Sequence, residues 1–250
     1  MRIIDSHAHY DDAAFDIDRY ELLDVLFAGG ICKLINVGCS VKSSYSSAEL
    51  AERYPNIYAS AGLHPDAADE IDRLDEIKAL CSRKKVVAVG EIGLDYHYEN
   101  HSRELQKRAF EEQLRLAAEV RLPVIIHSRD AWEDTMDILR KYRPKGVMHC
   151  FSGSAEIAEE IVKMGMYVGF TGVVTFKNAK KALRALEAVP LDRLLVETDC
   201  PYMSPEPNRG KRNFSGNLPY TIAAMAAAKG ISPEEAAEIT AENAERLFNI

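Results

Sequence analysis

The sequence predicts an α/β fold, a single (β/α)8 barrel over residues 1–250. Three observations predict it. Eight short apolar runs recur along the chain, each followed by a stretch with helical spacing of its apolar residues. Most of these runs are continuous rather than alternating, which marks strands buried on both faces, as in a parallel sheet. The ends of the runs carry most of the chain's histidines, as a barrel that gathers all its strand ends around one mouth would require. A doubly wound open sheet would not bring them to one centre. No repeat, low-complexity stretch or linker-like composition divides the chain, so one domain is the economical reading.

The elements follow in order. Ile3-Ile4 leads the first strand into Asp5-Ser6-His7-Ala8-His9. A helix is expected near 18–28 and a second strand over Ile31–Gly38. A helix near 43–54 stops at Pro55, and a third strand over Ile57–Leu63 leaves through His64-Pro65. Ile71, Leu74, Ile77 and Leu80 give 71–82 a helical period. The fourth strand, Val86–Val89, runs into Gly90-Glu91-Ile92-Gly93-Leu94-Asp95, and the longest helical pattern covers 103–121. The fifth strand is Pro123–Ile126, ending at His127, with a helix near 131–142. The sixth is Gly146–Met148, ending at His149, with a helix near 155–164. The seventh is Met166–Thr171, with a helix near 179–188. The eighth is Leu194–Glu197, ending at Thr198-Asp199. Helices near 218–229 and 233–247 close the chain. The last has a start signal in Ser232-Pro233-Glu234-Glu235, a capping serine with proline at the first helical position.

Composition narrows the function classes. At 47 % hydrophobic residues the chain can build a large core, yet no apolar run approaches the ~18 residues of a membrane span. The N-terminus carries no secretory signal pattern. Five cysteines, Cys32, Cys39, Cys81, Cys150 and Cys200, form no close pair. An odd, scattered set predicts a reducing, cytoplasmic setting rather than a disulfide framework. With 31 basic against 39 acidic side chains the net charge is −8. That counts against broad, non-specific duplex binding, which relies on basic surfaces. A polyanionic substrate would need bound cations or a local basic cluster.

The chemistry sits at the strand ends. His7 and His9 are two residues apart in a strand and point the same way, with Asp5 on that face too. His64, Glu91, His127, His149 and Asp199 follow the third, fourth, fifth, sixth and eighth strands. A lone histidine after a strand is ordinarily a loop or core residue, but five of the seven histidines here fall at one rim. His97 and His101, in the loop after Glu91, read as solvent-facing polar residues. Four imidazoles with two carboxylates exceed the three protein ligands of one open catalytic ion. They suit two cations about 3.5–4 Å apart with a bridging carboxylate and a bridging water. Mixed nitrogen and oxygen donors favour zinc, manganese or iron over magnesium. From the residues alone this is a metal-dependent hydrolase.

His7-x-His9, Gly90-Glu91-Ile92-Gly93-Leu94-Asp95, His127-Ser128-Arg129, His149-Cys150-Phe151-Ser152-Gly153 and Glu197-Thr198-Asp199-Cys200-Pro201 together resemble the TatD family of metal-dependent hydrolases, over essentially the whole chain and in the right order. The resemblance implies a TIM barrel with two divalent ions and a deoxyribonuclease activity, 3′–5′ exonucleolytic in several members, so DNA single strands or ends become the expected substrate. It implies that His7 and His9 hold the first metal with Glu91 and Asp199, and that Glu91 bridges to a second metal completed by His127 and His149. Asp199 would also act as general base, and Glu91 shares the catalytic role. His64 would contact a substrate phosphate at the rim, Arg129 likewise, and Asp95 would stand behind the ligands. Arg209, in the basic run Arg209-Gly210-Lys211-Arg212, resembles the family's Arg-Gly-Lys-Arg-Asn segment and would grip phosphate oxygens. The related amidohydrolases bridge their ions with a carbamylated lysine from strand four, and Glu91 in that place favours the TatD branch. The alternative substrates are small esters, lactones or amides on the same centre; a non-catalytic metal-binding module has no evident need for Asp199 beside an open metal pair. Trp132 and Phe151 read as packing residues, with base stacking open to Phe151. No obligate protein partner is evident.

Overall fold

The computed structural model describes residues 1–98 and 102–250. Eight parallel strands form one sheet in sequence order: β1 (Ile3–Ala8), β2 (Ile31–Val37), β3 (Ile57–Ala61), β4 (Val86–Asp95), β5 (Val124–Arg129), β6 (Gly146–Met148), β7 (Tyr167–Phe170) and β8 (Leu194–Val196). The sheet closes into a barrel where Ala8 bridges Cys200, with His9 N donating to Cys200 O and Asp199 N to His7 O, both at 2.9 Å. The closure therefore runs through the backbone of three of the expected ligands, His7, His9 and Asp199, rather than along a full ladder.

The helices are α1 (Arg19–Ala28), α2 (Val41–Arg53), α3 (Leu74–Cys81), α4 (Arg103–Val120), α5 (Trp132–Tyr142), α6 (Ala155–Lys163), α7 (Lys180–Ala188), α8 (Leu218–Lys229) and α9 (Pro233–Phe248). Every residue of β4 is buried, the apolar run Val86–Val89 and the Glu91 and Asp95 beyond it alike. One large cluster, including Leu34, Ile57, Val89, Ile126 and Val168, packs strands against helices. A second, with Ile4, Ile35, Ile125, Val147 and Leu195, is covered by Ala241, Ala244, Leu247 and Phe248 of α9. Glu245 of α9 pairs with Arg2 and Lys33, which stand at the starts of β1 and β2, so α9 seals the barrel at the end opposite the histidines. α9 begins at Ser232 with a full capping box to Glu235.

Three boundaries differ from expectation by three residues or more. β4 runs through Gly90 and Glu91 to Asp95, so Glu91 lies within a strand rather than after it. The glycines do not end the strand because they serve close packing. At Gly93 (φ +143°) a Cβ would lie 2.0 Å from His127 O, so only glycine lets β4 and β5 approach there. β5 likewise extends past His127 to Arg129. The segment 65–73 is a 3-10 stretch entered through Pro65, and the α-helix starts only at Leu74. Among the described residues no helix is long and apolar enough to cross a membrane.

Candidate metal centre

The centre is built around Glu91, whose two oxygens face different sets of histidines. Oε2 stands 3.4 Å from His7 Nε2 and 3.8 Å from His9 Nε2. Oε1 stands 2.7 Å from His149 Nε2, 3.0 Å from His127 Nδ1 and 3.8 Å from His64 Nε2. Asp199 Oδ1 lies 3.4 Å from His9 Nε2 and 3.6 Å from His7 Nε2. The structure thus brings His7, His9, Glu91, His127, His149 and Asp199 to one place. Three overlapping groups have the spacing to hold a cation: His7–His9–Glu91, His7–His149–Asp199 and His64–Glu91–His127. His64 was expected to contact only substrate. Its ring packs edge-on to His127 at 4.6 Å between centroids, and the geometry opens a ligand position to it as well.

Outer partners aim these rings. His9 Nδ1 pairs with Val37 O at 3.0 Å, which leaves Nε2 a lone pair toward the centre. His127 Nε2 faces Asp95 Oδ2 at 3.1 Å, so Asp95 stands behind the centre as expected and Nδ1 turns inward. His149 stacks on His7 at 3.9 Å, with its Nδ1 3.5 Å from Glu197 Oε1. Glu197 is wholly buried, accepts from Cys150 N, and fits because Gly169 lacks a side chain: a Cβ there would meet Glu197 Oε2 at 2.4 Å. Asp5 does not share the face of His7 and His9. The pairing register shifts between Asp5 and Ala8, and Asp5 instead accepts from Thr198 N, Thr198 Oγ1 and Ser215 Oγ. It thereby holds the corner at which Asp199 adopts a left-handed backbone (φ 56°), a conformation costing roughly 1–3 kcal/mol outside glycine.

The electrostatics are those of ligands held by protons. Burial alone would raise the Glu91 carboxyl, but His149 and His7 beside it hold it well below the usual carboxylate range. Burial would lower His149; Glu91 and Glu197 instead push it well above an ordinary imidazole. Burial also opposes the charge on His9, yet Cys39 and Asp199 beside it raise it well above the ordinary value. His7, with burial dominant and His149 against it, is lowered. Facing ring nitrogens, His7 Nε2 to His9 Nε2 at 3.0 Å and His127 Nδ1 to His149 Nε2 at 3.3 Å, would aim lone pairs at common points once their protons leave. A cation satisfies such pairs, and the nitrogen–carboxylate donor set fits divalent metal.

A cleft of ≈1050 Å³ opens over the centre. Arg129 is the only Lys or Arg lining it among the described residues, while Asp11, Asp12, Asp66, Asp69 and Glu70 line it as well. Arg209 is not in this lining; its guanidinium lies over the Phe176 ring at 4.3 Å, because the loop after β8 carries it outward. Arg212 pairs with Asp18. His97 is exposed, facing Asp130 at 3.1 Å, and His101 lies outside the described residues. Phe151 is buried against Trp132 at 5.1 Å, a packing role. Sequence reasoning gave no role to Cys39, whose Sγ is 3.5 Å from Glu91 Oε2, or to Glu197. Cys39 had a signal, its place at the end of β2.

A family model described as TatD related DNase matches residues 4–249. The chain belongs to the TatD-related DNase family. Among its TatD-family relatives, an uncharacterised metal-dependent hydrolase of Bacillus subtilis, YabD, is 44 % identical over 99 % of each chain. The 3′-5′ ssDNA/RNA exonuclease TatD of Citrobacter rodentium is 35 % identical, over 99 % of this chain and 98 % of that one. The crystal structure of the TatD homologue YjjV of Escherichia coli superposes with a TM-score of 0.93 at 33 % identity, covering 100 % and 98 % of the two chains. The barrel expected from the sequence and the observed fold agree with that structure. The chain is a TatD-family metal-dependent hydrolase.

Proposed function

We propose that the chain hydrolyses phosphodiester bonds at the ends of unpaired DNA, in the 3′–5′ direction, with two divalent cations bound between His7, His9, Asp199 and Glu91 on one side and Glu91, His127 and His149 on the other. The observation that carries this reading is the split of Glu91, whose Oε2 faces one histidine pair and Oε1 the other. When bound, such a pair of cations lowers the pKa of a shared water and neutralises phosphate charge. The chain's own residues do the rest. Asp199, at the mouth of the centre, takes the proton of the attacking water at a carboxylate oxygen. Arg129, which lines the cleft with its guanidinium over the Tyr98 ring, turns a phosphate toward the centre by paired N–H donors. His64 donates to a phosphate oxygen or completes the His127 side. The nuclease-named Citrobacter relative supports the substrate class.

One observation favours a second reading. Among the described residues the cleft lining holds five peripheral carboxylates and one arginine, a field that attracts a long polyanion poorly. Hydrolysis of small esters, lactones or amides on the same centre needs no such attraction. Labelled single-stranded DNA assayed beside a panel of esters and lactones, with manganese, zinc and magnesium, separates the two. Stepwise shortening from the 3′ end, lost in Asp199→Asn, is the expected result. Ester turnover with inert DNA overturns it.

A further inference from the structure

Two exposed tyrosines stand on opposite sides of the cleft mouth. Tyr98 lies three residues beyond the end of β4, and Tyr202 three residues beyond Asp199, after β8. β4 and β8 are four strands apart in an eight-stranded barrel, so the two segments face each other across the mouth, with the Glu91–Asp199 centre between their strands. Both rings line the cleft, at 49 % and 56 % exposure, and Met203 beside Tyr202 is 41 % exposed. These are three of the eight large hydrophobic side chains exposed among the described residues. The other aromatic side chain of the lining is not open to a base: Phe151 is 4 % exposed and committed to Trp132 and Phe170.

The two rings are held differently. Tyr98 takes the Arg129 guanidinium over its face at 5.2 Å and the His97 ring against it at 4.8 Å. Arg129 is thus docked on the aromatic ring, which joins a phosphate donor to a stacking surface. Tyr202 is tethered by its hydroxyl, which donates to Asp12 Oδ2 at 3.2 Å, and its ring is left open. Exposed aromatic rings beside a cationic group are what proteins use to hold unpaired bases, because every base has a π-face.

We propose that Tyr98 and Tyr202 are stacking platforms for the nucleosides on either side of the scissile phosphate, so that the site takes an unpaired polynucleotide end and refuses a base-paired one. The inference rests on the nuclease reading above and adds the residues that read strandedness. Bases in a duplex are stacked on each other and cannot lie on both rings. The acidic flank formed by Asp66, Asp69 and Glu70 works in the same direction, since it disfavours a second strand of phosphates across the mouth.

The test compares three substrates on the metal-loaded protein: a single-stranded oligonucleotide, the same sequence as a blunt duplex, and methyl p-nitrophenyl phosphate, a diester without bases. Tyr98→Ala and Tyr202→Ala should each lower the ratio of oligonucleotide to small-diester kcat/KM roughly ten-fold or more. The Kd for a fluorescent phosphorothioate oligonucleotide should rise in parallel. Tyr98→Phe and Tyr202→Phe should keep both within about two-fold, since the ring and not the hydroxyl does the stacking. An unchanged ratio in both alanine variants overturns the inference, as do phenylalanine variants that fall as far as alanine, or a wild type that shortens the blunt duplex as fast as the single strand. A wild type that turns over the small diester but no polynucleotide overturns the nuclease reading itself, a result distinct from the others.

Discussion

Thr198→Val tests how the barrel seam positions the base. The Thr198 hydroxyl donates to the buried Asp5 carboxylate at 2.6 Å and accepts from Cys200 N at 3.2 Å. Valine has nearly the same shape but can do neither. The charge-assisted hydrogen bond is worth about 1.5–3 kcal/mol, and leaving Cys200 N unpaired in a buried site adds about 1 kcal/mol or more. The backbone bond from Thr198 N to Asp5 Oδ1 and the donation from Ser215 persist, so the corner weakens without collapsing. Expected is a loss of about 2–4 kcal/mol in urea unfolding of the metal-free protein. With it, kcat should fall more than KM rises, because Asp199, the next residue, loses its anchored left-handed backbone. Thr198→Ser keeps the hydroxyl and should lose under about 1.5 kcal/mol. A valine variant as stable and active as wild type, or a serine variant as poor as valine, would refute this account of the corner.

Other consequences are open to measurement. Gly93→Ala should cost at least about 3 kcal/mol or prevent folding, since its Cβ meets His127 O at 2.0 Å on a positive-φ backbone; a stable alanine variant by thermal unfolding contradicts this. In the metal-free protein, His9 and His149 sit above the ordinary 6.5, so their contribution to stability is full below that value and is lost as pH rises through the raised folded values. Glu91 and Asp199 are lowered, so theirs is present above the ordinary carboxylate range and is lost as pH falls through the folded values. Cations displace the histidine protons, and the gain in Tm on adding manganese should therefore grow from pH 6 to pH 8; a gain independent of pH goes against it. Arg129→Ala should raise KM for single-stranded DNA roughly ten-fold with metal content intact, and Arg209→Ala should raise it less, which steady-state kinetics will decide.

Much of the site was legible because its chemistry is tied to strand ends. The His-x-His alternation of β1 survives in the fold, and five motifs at strand termini converge as a barrel demands. What the letters hid was local. A glycine usually reads as a break, so β4 was expected to stop before Glu91, yet Gly90 and Gly93 are there to let strands pass closely. Strict alternation put Asp5 with His7, but a register shift at the seam turned it to Thr198 and Ser215. Arg209 sits in a dense basic run, and only the course of the loop after β8 reveals that it points to Phe176 rather than into the cleft. Tyr98 and Tyr202 carry no motif, and their place opposite each other follows from topology alone.

The central claim is that Glu91 joins two cations. Anomalous diffraction from crystals grown with manganese tests it most directly. Two peaks are predicted, one on the Oε2 side near His7 and His9 and one on the Oε1 side near His127 and His149, with the second lost in a His127→Ala, His149→Ala double variant. A single peak unaffected by that variant, or none in a protein that still hydrolyses DNA, would contradict it.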